Sequence, residues 1–206
     1  NARNPLGSAT FKINANSNGG NGNAFDHLNF TNTGFTLLSG NDNVNASGEN
    51  YIYMAFAGGS DSVSNYNTTG SIDSRVKANT TYGQSIVSFT GNATAGATVG
   101  HGLSSAPEMY IVKSRTTGST DWWTYHASTG ATHSLRLNNT SAAYDDNTIW
   151  NDTAPTNAVF SLGNYADINK SGEPLIAYCF HSVSGYSKFG TYNGTGNASG
   201  NSVTLG

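Results

Sequence analysis

The sequence predicts an all-β protein, an antiparallel β-sandwich of the jelly-roll (concanavalin-like) type built from tandem repeats. Short β-branched and aromatic runs are separated by clusters of Asn, Gly and Ser, a pattern typical of strands joined by tight turns. No window has the 3.6-residue apolar periodicity of an amphipathic helix. The candidate strands recur at intervals of about ten residues, as in two-sheet sandwiches.

One apolar strand is predicted twice, each time after a Ser-Gly-Glu turn. The copies run from Tyr51 to Phe56 and from Leu175 to Phe180, and neither contains a charged residue. Alternate residues of a strand point to opposite faces, so both faces are apolar and each strand is expected inside a covered sheet. The predicted core residues are Tyr51, Tyr53, Phe56, Ile111, Trp123, Ile176, Tyr178, Cys179 and Phe180.

The two copies belong to a longer repeat. Subtracting 47 from 171 gives an offset of 124 between the two Ser-Gly-Glu turns, and the same offset lays residues 11–14 over 135–138. Residues 82–92 recur as 186–194, near an offset of 103 (194 minus 91). Both ends fall within a repeat, which predicts an excerpt of a longer polypeptide. The predicted division is the back half of a first unit at 1–57, a connector at 58–81, a nearly complete unit at 82–185 and the start of another at 186–206.

In the first part of the chain, strands are predicted at Thr10–Asn14, Phe25–Phe30 and Phe35–Leu38. The connector has little apolar content, and a short helical turn is predicted in it at Ile72–Ala78.

In the central unit, Ser85–Thr90 is a predicted strand followed by a Gly/Ala/Thr loop to Gly100. Pro107 precedes the strongest strand pattern, where no ladder donor is lost. The strands predicted after the loop are Met109–Lys113, Asp121–His126, Ser134–Asn138 and Asn157–Gly163. The sequence between the last two is predicted to be a long surface excursion.

Composition narrows the class of partner. Only 10% of residues are charged and the net charge is -3, so we expect no nucleic-acid surface, which would need clustered Lys and Arg. No apolar run approaches the roughly 18 residues of a spanning helix, so no membrane insertion is expected. The single cysteine cannot form an internal disulfide, and Cys179 is predicted to be a small buried residue and not a nucleophile.

Several longer motifs together resemble a repeated domain of unknown function. That domain is found in long structural proteins predicted from marine bacteriophages, often beside lectin-like jelly-roll domains. The motifs that carry the resemblance are His101–Leu103, Ala106–Lys113, Trp123–His126, Leu137–Ala143, Trp150–Thr156 and Ala177–Gly190. The resemblance implies a virion component, assembled in the host cytoplasm and extracellular when mature, with other virion proteins or copies of itself as partners. It carries no catalytic residue over.

Two candidate binding sites follow from residue type. Trp122 and His126 alternate onto one face of a strand, where an exposed ring can stack on a host surface glycan. Asp42, Asp145 and Asp146 offer the oxygen ligands that calcium prefers, without EF-hand spacing, and a solvated turn explains them equally well. The five histidines are scattered, with no metal-binding motif. We expect no cofactor.

The expected function is a non-enzymatic virion structural protein: a tail fibre, an appendage or a capsid decoration element that contacts host glycans. Nothing in the sequence pairs two carboxylates for glycoside hydrolysis, and Glu49 and Glu173 occupy equivalent turns, which favours a structural role for both. Two alternatives stay open. One is a lectin-like jelly-roll carbohydrate-active enzyme, and the other is a cellular adhesin or carbohydrate-binding module.

Overall fold

The computed structural model describes residues 28–30, 34–37, 45–53, 66–196, 198, 200 and 202–205. They confirm the all-β prediction, because every strand pair is antiparallel and both helices described have four residues. The strands are β1 Leu28–Phe30, β2 Phe35–Leu37, β3 Ser74–Asn79, β4 Gln84–Thr90, β5 Ala97–Gly100, β6 Met109–Ser114, β7 Trp123–His126, β8 His133–Arg136, β9 Tyr144–Asp145, β10 Val159–Leu162 and β11 Pro174–Phe180. The helices are α1 Asn147–Trp150 and α2 Ala166–Asn169.

A seven-stranded sheet, the main sheet, has the order β3-β4-β11-β6-β7-β8-β9. Its third strand is β11, an interior strand that corresponds to the second copy of the apolar strand found in the sequence. Ala177 of β11 lies opposite Val87 of β4 and Val112 of β6. All three side chains are fully buried, as expected for a strand with apolar residues on both faces.

The inner face of the main sheet is covered by a smaller layer formed by the β5–β10 ribbon and the two helices. Phe160 of β10 contacts Phe89 of β4, with ring centroids 6.0 Å apart. Tyr110 of β6 lies between the two layers, 4.6 Å from the Tyr125 ring of the main sheet and 4.9 Å from the Trp150 ring of the covering layer. Aromatic pairs of this kind add about 0.5–1.5 kcal/mol each beyond the area they bury. The two layers make a sandwich of unequal sheets, and the finer jelly-roll assignment stays a prediction.

The outer face of the main sheet is also apolar. Ile111 and Ile176 are buried on it, whereas Tyr178 and Phe180 are half-buried. The Phe180 ring stacks on Phe189 with centroids 5.7 Å apart. The segment that follows β11 therefore covers part of this face.

The first copy of the apolar strand does not repeat this arrangement. Tyr51 and Tyr53 were predicted to lie in the core, but they are 44% and 71% exposed and no strand is assigned to residues 51–53. In the second copy, β4 and β6 pair with the strand on both sides, whereas residues 51–53 have no such strand neighbours among the described residues. Their side chains are therefore exposed. Phe56 and the strand predicted at Thr10–Asn14 lie outside the described residues.

Three local predictions were wrong. The helical turn predicted at Ile72–Ala78 is instead strand β3, because Ser74 and Ala78 alternate inward and the strand pairs with β4. Part of the predicted connector therefore belongs to the main sheet. The predicted loop before Gly100 contains β5, and the predicted surface excursion contains α1, whose Trp150 is fully buried. Among the residues described, no helix is long and apolar enough to span a membrane.

Candidate functional site

The predicted glycan platform does not form. Trp122 is only 6% exposed, and its ring stacks on Tyr178 at 6.4 Å with an interplanar angle of 18°. His126 is half-buried at the end of β7, where its Nδ1 accepts a hydrogen bond from the Ser128 N–H at 3.1 Å. Four residues of strand separate the two side chains by about 13 Å. Trp122 thus covers the sheet and is not free to stack on a sugar, and it does not share a site with His126.

The predicted calcium ligands are likewise not assembled. Asp145 is exposed on β9, opposite His133. Asp146 is the N-cap of α1, where its Oδ1 accepts from the Thr148 N–H at 2.8 Å and from the Thr148 hydroxyl at 2.6 Å. Asp42 lies outside the described residues, within which no group of three or more acidic, His or Cys side chains is placed to hold a metal ion.

Glu173, in the turn before β11, is 7% exposed and binds the chain just after β6. Its Oε1 accepts from the Thr116 N–H at 3.0 Å, the Thr117 N–H at 2.9 Å and the Ser114 hydroxyl, and its Oε2 accepts from the Thr117 hydroxyl at 2.8 Å. Burial raises the pKa of this carboxyl, but the hydrogen bonds from Ser114, Thr117 and Thr116 outweigh it and lower the pKa to about 2. The carboxylate therefore joins β11 to the loop after β6, and a general acid would need the opposite shift.

Two other reactive side chains are buried and structural. The His101 Nδ1 accepts from the Leu103 N–H, and its Nε2 lies 3.1 Å from the Thr156 carbonyl, to which it therefore donates. Burial lowers the pKa of His101, which keeps the ring neutral. Cys179 is fully buried, and burial raises the pKa of its thiol to about 12. A thiol in that setting is not a nucleophile near neutral pH.

A mixed group of charged and aromatic side chains lies where β7, β8 and β9 meet. Trp123 of β7 is opposite Arg136 of β8, and Ser134 of β8 is opposite Tyr144 of β9. The chain just before α2 places Tyr165 against Trp123, with ring centroids 5.3 Å apart and an interplanar angle of 72°. We call this group the Arg136 cluster; it consists of Asp121, Trp123, Arg136, Asn138, Tyr144, Asp146, Tyr165 and Asp167.

Arg136 lies between two aromatic rings of this cluster. Its Cζ is 4.6 Å from the centroid of Trp123 and 5.5 Å from that of Tyr144, both within cation–π range. Its Nε is 3.3 Å from Asp121 Oδ2, but the N–H does not point at the oxygen, so the contact is an ion pair without a hydrogen bond. No described residue accepts a hydrogen bond from its two terminal amino groups. The Arg136 side chain is 25% exposed, so these amino groups can donate to a ligand.

Two carboxylates of the cluster, Asp146 and Asp167, are each held by the fold through one oxygen. Asp167 Oδ2 accepts from the Trp123 indole N–H at 3.0 Å and from the Asp121 backbone N–H at 3.3 Å. Asp146 uses Oδ1 to cap α1. The second oxygens of Asp167 and Asp146 accept no hydrogen bond from the described residues. The cluster thus presents both donors and acceptors from a rigid base.

Two tyrosine rings of the cluster face solvent. Tyr144 is 49% exposed and Tyr165 is 37% exposed. Burial raises the pKa of Tyr165 and the carboxylate of Asp167 raises it further, while Arg136 lowers it. The phenol is therefore neutral at physiological pH. The sequence does not reveal this site because its members come from β7, β8, β9 and the starts of both helices, and no local motif joins them.

Comparison with known proteins gives a family but no activity. The family model described as a domain of unknown function, DUF7483, matches residues 1–59 and residues 58–206. The chain belongs to the DUF7483 family. The DUF7483 matches cover two adjoining segments of the chain, and the second segment contains β3 to β11 and the Arg136 cluster. Neither the curated proteins nor the solved structures show a significant match to the chain.

Proposed function

We propose that this DUF7483 chain is a non-enzymatic structural protein of a bacteriophage particle, located in a tail fibre, an appendage or a capsid decoration. The observation that carries the proposal is the double match of one family model to adjoining segments, 1–59 and 58–206. The tandem repeat predicted from the sequence is typical of elongated arrays, in which each unit contacts its neighbours. The resemblance of the sequence motifs to structural proteins of marine phages supports the same proposal.

The chemistry of the described residues supports a structural role. The carboxylate of Glu173 receives its hydrogen bonds from the loop after β6, and the carboxylate of Asp121 receives one from Asn138 at 2.9 Å. The buried imidazole of His101 holds two backbone segments together. These groups would be candidates for acid–base work in an enzyme, and here each is engaged in holding the sandwich together.

Assembly with neighbouring units or other virion proteins would use the ends of the main sheet. β3 and β9 are its edge strands, and each pairs with a single strand of that sheet. An edge strand has backbone N–H and C=O groups that a further strand can pair with. Arg75 and Lys77 on β3 place charges along one edge, which restricts pairing to a partner that accommodates them.

The experiment is mass spectrometry of purified phage particles from a host that produces them, followed by cryo-EM to locate the protein. We expect peptides from this chain in the particle fraction at a fixed ratio to the major capsid protein, and density on the particle that fits the main sheet. Recovery of the chain only from a cell fraction free of particles would contradict the proposal.

A further inference from the structure

The Arg136 cluster combines the features that bind a sugar on a protein surface. A pyranose ring has apolar C–H faces, which stack on aromatic rings, and hydroxyls, each of which both donates and accepts hydrogen bonds. Tyr144 and Tyr165 supply partly exposed rings. Arg136 supplies donors, while Asp146 and Asp167 each have an oxygen not used by the described residues. We propose that the Arg136 cluster is a saccharide-binding site that takes a neutral hexose.

Preference for a neutral sugar follows from the charge of the site. Asp121 forms an ion pair with Arg136, and the carboxylates of Asp121, Asp146 and Asp167 all act on Tyr165 together with that single guanidinium. The buried ammonium group of Lys113 acts on two of them, but the balance is still negative. An acidic sugar would bring a carboxylate toward this field and be repelled, whereas the hydroxyls of a neutral hexose can donate to the carboxylates.

The site is already organised without a ligand. Trp123 is 1% exposed beneath Arg136, and its indole N–H is bonded to Asp167. The Asn138 side chain links the same region, accepting from the Trp122 N–H at 2.9 Å and donating to Asp121. Few side chains therefore lose conformational entropy on binding, and this low entropic cost helps a small open site to reach a useful affinity. A single site of this size is expected to bind in the millimolar range, and repetition along an array would raise the avidity.

This inference rests on the proposed function only for the source of the sugar, a host surface glycan. The test uses the purified chain and the methyl glycosides of D-glucose, D-galactose and D-mannose as probes, with D-glucuronic acid as the acidic comparison. Saturation-transfer difference NMR reports contact, and titration of tryptophan fluorescence gives Kd because Trp123 lies beneath the site. We expect at least one neutral glycoside to bind, and to bind more tightly than the acidic sugar.

Substitutions then locate the site. We expect Tyr144→Ala and Arg136→Gln each to weaken binding about tenfold or more, with Tyr144→Phe retaining most of it because the ring is kept. Tyr82→Ala is the matched control, since Tyr82 is 45% exposed in a second tyrosine pair, 4.7 Å from the Tyr186 ring. The thermal unfolding midpoint of each variant shows whether it is folded.

Three results would overturn the inference: no binding of any neutral glycoside, tighter binding of D-glucuronic acid, or loss of binding in Tyr82→Ala while folded Tyr144→Ala binds as before. A chain that binds hexoses but is missing from phage particles would contradict the proposed function and leave this site intact. If the chain is found in phage particles but binds no hexose, the binding site is contradicted and the proposed function stands.

Discussion

Glu173→Gln is expected to destabilise the sandwich because the Glu173 carboxylate accepts hydrogen bonds from Ser114, Thr116 and Thr117. In the folded state its pKa falls from 4.5 to about 2, a difference worth roughly 3 kcal/mol at 1.36 kcal/mol per pKa unit. The glutamine keeps one acceptor oxygen, but its NH2 group replaces the other and would face hydroxyl and N–H donors of the loop after β6. We expect the free energy of unfolding at pH 7 to fall by about 2–4 kcal/mol.

The pH dependence of this effect has a definite sign. Because the folded pKa lies below the unfolded one, the stabilisation is complete above pH 4.5 and is lost as the pH falls toward 2. The gap between wild type and Glu173→Gln should therefore be largest at pH 7 and should narrow between about pH 4.5 and pH 2. Urea denaturation followed by tryptophan fluorescence at several pH values measures it.

Glu49→Gln is the matched control, since Glu49 occupies the equivalent turn in the first copy of the repeat but is exposed. We expect it to change the free energy of unfolding by less than about 0.5 kcal/mol. The reasoning would be refuted if Glu173→Gln were as mild as this control at pH 7. A large gap that stayed constant down to about pH 2 would refute the assignment of the effect to the carboxylate charge.

Three further predictions concern buried positions. Gly163→Ala would place a Cβ against the carbonyl of Thr148 and should cost at least about 2 kcal/mol, whereas Gly118→Ala, in open space, should cost under about 0.5 kcal/mol by thermal unfolding. Cys179, whose pKa burial raises to about 12, should resist a thiol-specific disulfide reagent until the protein is unfolded in urea, and rapid labelling of the folded chain would contradict this. Burial lowers the folded pKa of His101, so its neutral form stabilises the fold above pH 6.5, the unfolded pKa, and this stabilisation is lost as the pH falls below that value. The free energy of unfolding of folded His101→Gln should therefore lack the decline between about pH 6.5 and 5 that the wild type shows. The same decline in the variant would contradict the prediction.

Much of the fold could be predicted from the sequence because the strand signals are local. The interior strand β11 has apolar residues on both faces, and it does lie between two other strands. The same pattern gave the wrong result at Tyr51 and Tyr53, because burial of a strand depends on the strands beside it. Helix α1 was missed because a four-residue helix is too short to show periodicity, even though it buries Trp150.

The candidate site was less predictable than the fold. Trp122 and Trp123 are adjacent in sequence, and alternation correctly predicts that their side chains lie on opposite faces of the sheet, but the exposure predicted for Trp122 was wrong. Alternation could not show that both faces are covered at this point, with Trp122 stacked on Tyr178. The register of β7 with β8 and of β8 with β9 brings Arg136 and Tyr144 together, and that register depends on turns that the sequence does not specify.

The position of β11 affects how the chain acquires its structure during synthesis. This strand pairs with β4, some 90 residues earlier in the chain (174 minus 84), and with β6, so it is the last strand of its sheet to leave the ribosome. Until then β4 and β6 have unpaired edges facing one another, and the same strand from a second nascent copy of the chain can occupy the gap. Contacts this distant in sequence also slow closure of the sheet. Translation speed near residue 180 would then influence whether the sheet closes with its own β11 or with the β11 of another copy of the chain.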